Sequence, residues 1–132
     1  MRKLRCLIVD DDVITGRLLK NMVSEYGACD EVGTGKKAID SFKRAWDEGN
    51  PYDLVFLDIM MPEMDGQMAL RAMREYESTR ADIGEKSCRI IIMTVSREPH
   101  DVVEAYKNQC DGFMTKPIAK FQVDKVILQG QL

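Results

Sequence analysis

The chain has 132 residues, enough for one domain with a single hydrophobic core, and we expect residues 1–132 to form one domain. Its formal net charge of -3 gives no electrostatic support for binding nucleic acid. No apolar run approaches the roughly 18 residues that span a membrane, and the N-terminal residues lack the apolar region of a signal peptide, so we expect a cytoplasmic protein without a membrane partner.

The first predicted strand, Leu4–Val9, is continuously apolar after Arg5, which is typical of a parallel strand covered on both faces. Three carboxylates follow it, on Asp10, Asp11 and Asp12. Like charges this close repel by about 1 kcal/mol even in water, so the cluster requires an explanation. Asp12 can cap a helix that ends at Gly27. The apolar positions expected on the inner face of that helix are Ile14, Leu18, Leu19, Met22, Val23 and Tyr26.

The middle of the chain alternates in the same way. We expect a second strand at Cys29–Gly33 and a third strand at Tyr52–Leu57. Between them, Gly35 leads into a helix with apolar residues at helical spacing up to Trp46, before the stop signal at residues 49–51. After the loop DIMMPEMDG, a third helix is indicated by apolar residues at helical spacing: Met68, Ala69, Ala72, Met73 and Tyr76. The charged connection Glu77–Ser87 is long, and the sequence assigns it no function.

The last third of the chain predicts a fourth strand at Cys88–Met93, a short helix opened by Pro99, a fifth strand at Gly112–Thr115 and a final helix at Phe121–Leu128. The inner faces expected for the two helices contain Val102, Val103, Tyr106, Val123, Val126 and Ile127. Five strands alternating with five helices predict an α/β domain built on a parallel sheet. The start at Met1 just before the first strand and the short tail favour a single-domain protein.

The four cysteines are scattered singly without a C-x-x-C pair, so we interpret them as small buried hydrophobic residues rather than a zinc or redox site. The one histidine, His100, lies beside Pro99 in a polar stretch. We expect it to be exposed rather than catalytic.

Polar side chains follow four of the predicted strands. Asp10 and Asp11 follow the first, Asp58 the third, Thr94 the fourth and Lys116 the fifth. Each has an ordinary explanation as a turn residue, a strand end or a solvated side chain, but their recurrence at one edge of a parallel sheet indicates a site. Carboxylates without histidine or thiolate suit Mg²⁺, and a carboxylate beside such an ion and a lysine can attack phosphorus to form an aspartyl phosphate.

The stretches IVDDD, LVFLDIMMPEMDG, IIIMT and MTKP, in this order and at these spacings, resemble the receiver domain of two-component response regulators. The resemblance covers essentially the whole chain. It implies a flavodoxin-like, doubly wound (βα)5 fold with a five-stranded parallel sheet in the order 2-1-3-4-5. It also implies a switch that promotes its own phosphorylation and dephosphorylation, and not an enzyme acting on another substrate.

Carried onto this sequence, the resemblance makes Asp58 the phosphoacceptor. The Mg²⁺ ligands it implies are Asp10, Asp11, Asp58 and the backbone carbonyl of Met60. Thr94 and Lys116 would contact the phosphoryl group, and the partners implied are a histidine kinase or phosphotransfer protein and an unidentified downstream protein.

The resemblance further implies that Thr94 and Phe113 move together and shift a surface made of the fourth helix, the fifth strand and the fifth helix. It implies a cis peptide bond between Lys116 and Pro117. Val95 is larger than the residue usual there and is expected to crowd the phosphoryl group. Met60 and Ser96 lie where the family tunes dephosphorylation, and neither offers a carboxylate or amide to orient water.

Three other functions stay open. The chain could be a phosphorelay intermediate or phosphate sink without its own output. It could be a constitutive protein-binding module, although binding alone does not need this residue set. It could also be a phosphatase or phosphotransferase with an aspartate nucleophile, but that class usually has a second acid two residues after the nucleophile, where this chain has Met60.

Overall fold

Five strands and five helices alternate in the computed structural model, which describes residues 3–61, 66–80, 87–95 and 98–129. The strands are β1 (Leu4–Val9), β2 (Gly27–Val32), β3 (Leu54–Asp58), β4 (Arg89–Thr94) and β5 (Gly112–Thr115). The helices are α1 (Val13–Val23), α2 (Gly35–Asp47), α3 (Gly66–Ser78), α4 (Pro99–Lys107) and α5 (Lys120–Gln129).

All the strand pairs are parallel, and the sheet order is β2-β1-β3-β4-β5. The register places Val9 beside Leu57, Asp58 beside Met93 and Thr94 beside Thr115. The carboxyl ends of the central strands therefore lie at one edge of the sheet. The predicted doubly wound parallel fold and its strand order are confirmed.

The helices cover both faces of the sheet. On one face, residues of α2, α3 and α4 such as Phe42, Leu70 and Ala105 pack against the strands. On the other face, residues of α1 and α5 such as Leu19 and Val123 do the same. Successive residues of a strand point to opposite faces, so each central strand contributes to both cores and its middle residues are apolar in succession.

The prediction that Gly27 ends the first helix is wrong. The helix α1 stops at Val23, and Gly27 is the first residue of β2. A Cβ atom at Gly27 would lie 1.9 Å from the Leu4 carbonyl oxygen, so the glycine allows β2 to approach β1 closely. The strand β2 therefore starts two residues before the predicted Cys29 and ends one residue before the predicted Gly33. The strands β3 and β4 each end one residue later than expected.

The expected inner face of α1 is also partly wrong. Ile14 and Leu18 are 72% and 54% exposed, while Leu19 and Val23 are buried. The helix carries apolar residues on two sides, and only one side can contact the sheet. The same reason applies to three residues of α3 and α4 that are about half exposed: Met68, Val103 and Tyr106.

All four cysteines are free and buried, as expected, and His100 is exposed. Cys6 and Cys29 lie opposite each other on β1 and β2. None of the described helices is long and apolar enough to cross a membrane. Ser96, the loop residues 62–65 and most of the predicted Glu77–Ser87 connection, residues 81–86, lie outside the described residues.

A partly buried polar network joins α3 to β4 and to the loop before β5, at the edge of the sheet opposite the carboxyl ends. Arg74 donates to the Glu77 carboxylate (2.7 Å), the Asp111 carboxylate (2.7 Å), and the carbonyl oxygens of Cys88 and Gln109. Glu77 also accepts a hydrogen bond of 2.7 Å from the Cys88 amide. This network fixes the end of α3 against the sheet.

Candidate functional site

The polar residues that follow the strands come together at one edge of the sheet. Asp10 follows β1, Asp58 ends β3, Thr94 ends β4 and Lys116 follows β5. The first three are only 5%, 4% and 2% exposed. Buried charged groups are rare unless they are paired, so this edge is a specialised site rather than an ordinary set of strand ends.

Lys116 pairs with two carboxylates at once. Its Nζ atom donates to Asp10 Oδ2 at 2.7 Å and to Asp58 Oδ2 at 3.2 Å. Burial lowers the pKa of Lys116, but the hydrogen bond to Asp10 and the charge of Asp58 outweigh burial, and the net shift is upward. The ammonium therefore stays protonated and offsets the repulsion between the two acids.

The second oxygen of each carboxylate is held by the backbone of the loop that follows it. The Asp12 amide donates to Asp10 Oδ1 at 2.8 Å, and the Met60 amide donates to Asp58 Oδ1 at 2.9 Å. Burial raises the pKa of the Asp58 carboxyl, and the charge of Asp10 acts in the same direction. The Met60 amide and Lys116 oppose this shift. A carboxylate with a raised pKa is a stronger nucleophile once it is ionised.

The acidic residues fit a hard divalent cation. Carboxylate oxygens of Asp10, Asp11 and Asp58 lie within 4.8 Å of one another, and Asp11 is exposed at the mouth of the cluster. Oxygen ligands with room for water are what Mg²⁺ prefers. Met60 is also exposed, and the role expected for its carbonyl stays a prediction.

Asp12, the third carboxylate of the run, has a different role. Its Oδ1 accepts from the Ile14 amide at 3.0 Å, and its Oδ2 accepts from the Thr15 hydroxyl at 2.8 Å. The hydrogen bond from Thr15 is the main reason that the pKa of Asp12 is lowered. Asp12 is therefore the N-cap of α1, as the sequence predicted.

Of the two residues expected to form the switch, Thr94 ends β4 at this edge, and Phe113 lies on β5 beside Ile92 of β4. The Lys116 amide donates to the Thr94 carbonyl at 2.8 Å, which joins the ends of β4 and β5. Phe113 is half-buried, and its ring lies 5.5 Å from the ring of Tyr106 on α4. Val95 is 71% exposed at the rim of the site. The peptide bond between Lys116 and Pro117 is cis, as the resemblance implies.

Sequence reasoning missed Gly66, the first residue of α3. A Cβ atom there would lie 2.6 Å from the Asp58 carbonyl oxygen and 2.4 Å from Ile59 Cα. Only glycine lets α3 begin this close to the strand that carries Asp58. The glycine in MDG, directly before a helical pattern, was the available signal.

Comparison with known proteins gives one family and several relatives. The family described as "Response regulator receiver domain" matches residues 6–128. Chemotaxis protein CheY of Listeria monocytogenes is 33% identical over 126 residues, which cover 94% of this chain and 92% of that protein. Probable histidine kinase 2 of Oryza sativa subsp. indica is 33% identical over 131 residues, which cover 92% of this chain but only 12% of the kinase.

A solved structure gives the same likeness. The receiver domain of the histidine kinase CKI1 from Arabidopsis thaliana, complexed with Mg²⁺ and BeF3⁻, has a TM-score of 0.82 and 25% sequence identity. The match covers 96% of this chain and 88% of that one. The similarity therefore extends over the whole sheet and includes the edge where the acidic residues lie.

Proposed function

Because this chain belongs to the response regulator receiver domain family, and so to two-component signalling, we propose that it is a phosphorylation-dependent switch whose phosphoacceptor is Asp58. The observation that carries the proposal is the pairing of Lys116 with both Asp10 and Asp58 at a buried edge. A structural salt bridge needs one acid and one base. Two acids on one lysine, with a third acid within ligand distance, leave an excess of negative charge that suits a cation and a phosphoryl group.

In the proposed reaction, an ionised oxygen of Asp58 attacks the phosphorus of the donor. A phosphorus–oxygen bond to Asp58 forms while the bond from phosphorus to the donor's histidine nitrogen breaks, and the imidazole leaves. The Lys116 ammonium and the Thr94 hydroxyl stabilise charge on the phosphoryl oxygens. Mg²⁺, held by Asp10, Asp11, Asp58 and the Met60 carbonyl, would neutralise the acids and the incoming group.

The proposed output is a population shift. Phosphorylation favours the arrangement in which Thr94 and Lys116 contact the phosphoryl group. Thr94 ends β4, and Phe113 of β5 packs against Tyr106 of α4, so a shift at Thr94 has a path to the surface of α4, β5 and α5. We call this surface the output surface, and we propose that a downstream protein binds it.

The proposed phosphoryl donor is a histidine kinase or a phosphotransfer protein in the cytoplasm. It has to approach Asp58 along the carboxyl edge of the sheet, because the rest of Asp58 is enclosed by α3 and the neighbouring strands. Val13, Ile14 and Leu18 of α1 are exposed beside this edge. Burying these apolar side chains would favour binding of a donor there.

A phosphorelay intermediate is the second candidate function. It is favoured by the likeness to part of a histidine kinase, of which this chain spans only 12%. The two functions differ in whether the phosphorylated form binds a protein more tightly at the output surface than the unphosphorylated form does.

The test is phosphorylation by acetyl phosphate with Mg²⁺, followed by intact mass. The wild type and Asp12→Asn should both gain one phosphoryl group, which hydroxylamine removes. Asp58→Asn should gain none. Asp12 is a matched control because it is also an aspartate and lies close to the site, but its carboxylate caps the helix α1. An adduct that persists in Asp58→Asn would contradict the proposal.

A further inference from the structure

Three potential metal ligands lie together on the first turns of α4, outside the acidic cluster described above. They are His100, Asp101 and Glu104, and their ligand atoms lie within 4.8 Å of one another. We propose that these three side chains bind a divalent transition metal ion of the zinc type, which gives the protein a second cation site. The proposal does not depend on phosphorylation of Asp58.

The ligand types distinguish this site from the first. An imidazole nitrogen with two carboxylate oxygens suits zinc and similar ions, whereas Mg²⁺ prefers oxygen ligands alone. His100 is the one histidine in the sequence. The two sites should therefore select different ions, with Mg²⁺ at the strand ends and a transition metal on α4.

The distance between two of the ligand atoms is close to that of a tetrahedral site. His100 Nε2 lies 3.2 Å from Asp101 Oδ1. Two ligands of a tetrahedral zinc ion, each at its usual bond length, are about 3.4 Å apart. Glu104 lies one helical turn after His100 and so on the same side of the helix. Its side chain is partly exposed, and one of its carboxylate oxygens lies within 4.8 Å of the other two ligand atoms, so that water would complete the coordination.

The turn that carries these ligands is fixed in place. The buried Gln67 side chain of α3 donates to the Asp101 carbonyl oxygen at 3.1 Å and accepts from the Asn108 side chain at 3.2 Å. Both bonds hold α4 against α3. A fixed backbone lowers the entropy that is lost when ligands are ordered around an ion.

The site opens into a cavity of about 500 Å³. His100, Asp101 and Glu104 form one side of this cavity, and Ile59, Met60 and Met61 form another. The cavity gives a hydrated ion access to the ligands. The start of a helix disfavours a cation, but the carboxylates of Asp101 and Glu104 supply an opposing negative charge.

The test uses the unique imidazole as a local probe. Zinc is titrated into ¹⁵N-labelled protein with Mg²⁺ at saturation, and the ring nitrogen signals of His100 are followed by NMR. We expect the signals to shift and to saturate. Glu104→Gln and Asp101→Asn should each weaken zinc binding about tenfold, because each removes one charged ligand.

Glu98→Gln is the matched control, since Glu98 is an exposed acid beside the same turn and is not one of the three ligands. It should leave the affinity within about twofold. His100 signals that do not move would overturn the proposal. Equal affinity in the wild type, Asp101→Asn and Glu104→Gln would also overturn it, because the imidazole alone would then account for binding.

Discussion

The three consecutive carboxylates Asp10, Asp11 and Asp12 have different surroundings, so equal substitutions should have unequal effects. Asp10 is buried and bonded to Lys116, Asp11 is an exposed member of the acidic cluster, and Asp12 caps α1. The three residues are therefore of the same type but have different roles.

Asp11→Asn should raise the Mg²⁺ concentration needed for phosphorylation by about tenfold or more, because it removes a charged oxygen ligand. Asp12→Ala should leave the Mg²⁺ dependence unchanged and lower the melting temperature by about 4 °C, because α1 loses its cap. The measurements are phosphorylation at increasing Mg²⁺ and thermal unfolding of both variants. A reversed pattern would show that the two roles have been assigned to the wrong residues.

Val95→Ala should shorten the lifetime of the aspartyl phosphate several-fold. The Val95 side chain is exposed directly after Thr94, and we expect it to limit the approach of water to the phosphoryl group. Loss of the phosphoryl group after removal of acetyl phosphate measures the lifetime. Val103→Ala is the control, since Val103 is also an exposed valine but lies on α4. Equal lifetimes in Val95→Ala and the wild type would contradict this role.

Much of the site could be predicted because a parallel sheet brings the carboxyl ends of its strands to one edge. This reasoning placed Asp58, Thr94 and Lys116 together. The pairing of Lys116 with both acids could not be predicted, because it depends on side-chain conformations and on the burial of all three residues. The need for glycine at Gly66 was hidden for a similar reason, since it arises from how closely α3 approaches β3.

At the scale of the elements, the end of α3 depends on buried charge. Glu77 is 3% exposed and accepts hydrogen bonds from Arg74 and from the Cys88 amide. Removing one member of such a network leaves the other charge buried without full compensation. The cost of a substitution here should therefore be much larger than at the helix surface.

Glu77→Ala should lower the free energy of unfolding by about 3 kcal/mol, measured by urea denaturation. Glu75→Ala serves as the control, because Glu75 is exposed on the same helix and its removal should change stability by less than about 0.5 kcal/mol. Similar losses in the two variants would mean that helix propensity, and not the network, accounts for the effect.

Most element boundaries could be predicted to within two residues, because long apolar runs and helical spacing are strong signals. The junction of α1 and β2 could not. The strand sequence GACDEV contains few apolar residues, and a glycine such as Gly27 is also typical of the position that follows a helix. Gly27 is needed because β2 approaches Leu4 of β1 closely. This contact depends on the pairing of two strands, so it cannot be predicted from the local sequence pattern.

At the scale of the whole molecule, both hydrophobic cores use the same strands. Leu7 and Val9 of β1 belong to one core, and Cys6 and Ile8 of the same strand belong to the other. Neither face can lose its packing without disturbing the sheet that supports the other. This arrangement favours the prediction that residues 1–132 are one domain.

The chain should therefore unfold in one cooperative transition. Trp46, the one tryptophan, packs against the core on the side of α2 and α3, whereas far-UV circular dichroism reports on all the helices. Urea midpoints from tryptophan fluorescence and from circular dichroism should agree. Separate midpoints would show that the two faces of the sheet unfold independently.

The burial of all four cysteines has a practical consequence for spectroscopy. Two thiols lie in each core, and burial raises the pKa of the Cys88 and Cys110 thiols. A thiol-reactive dye or spin label added to the folded protein should therefore react slowly, and most readily at Cys29, because the hydrogen bond with Cys6 lowers the pKa of the Cys29 thiol. One cysteine introduced by Lys107→Cys, at the exposed end of α4, would carry such a label without replacement of any native cysteine. The wild-type core would then remain intact while the label reports on the motion of α4.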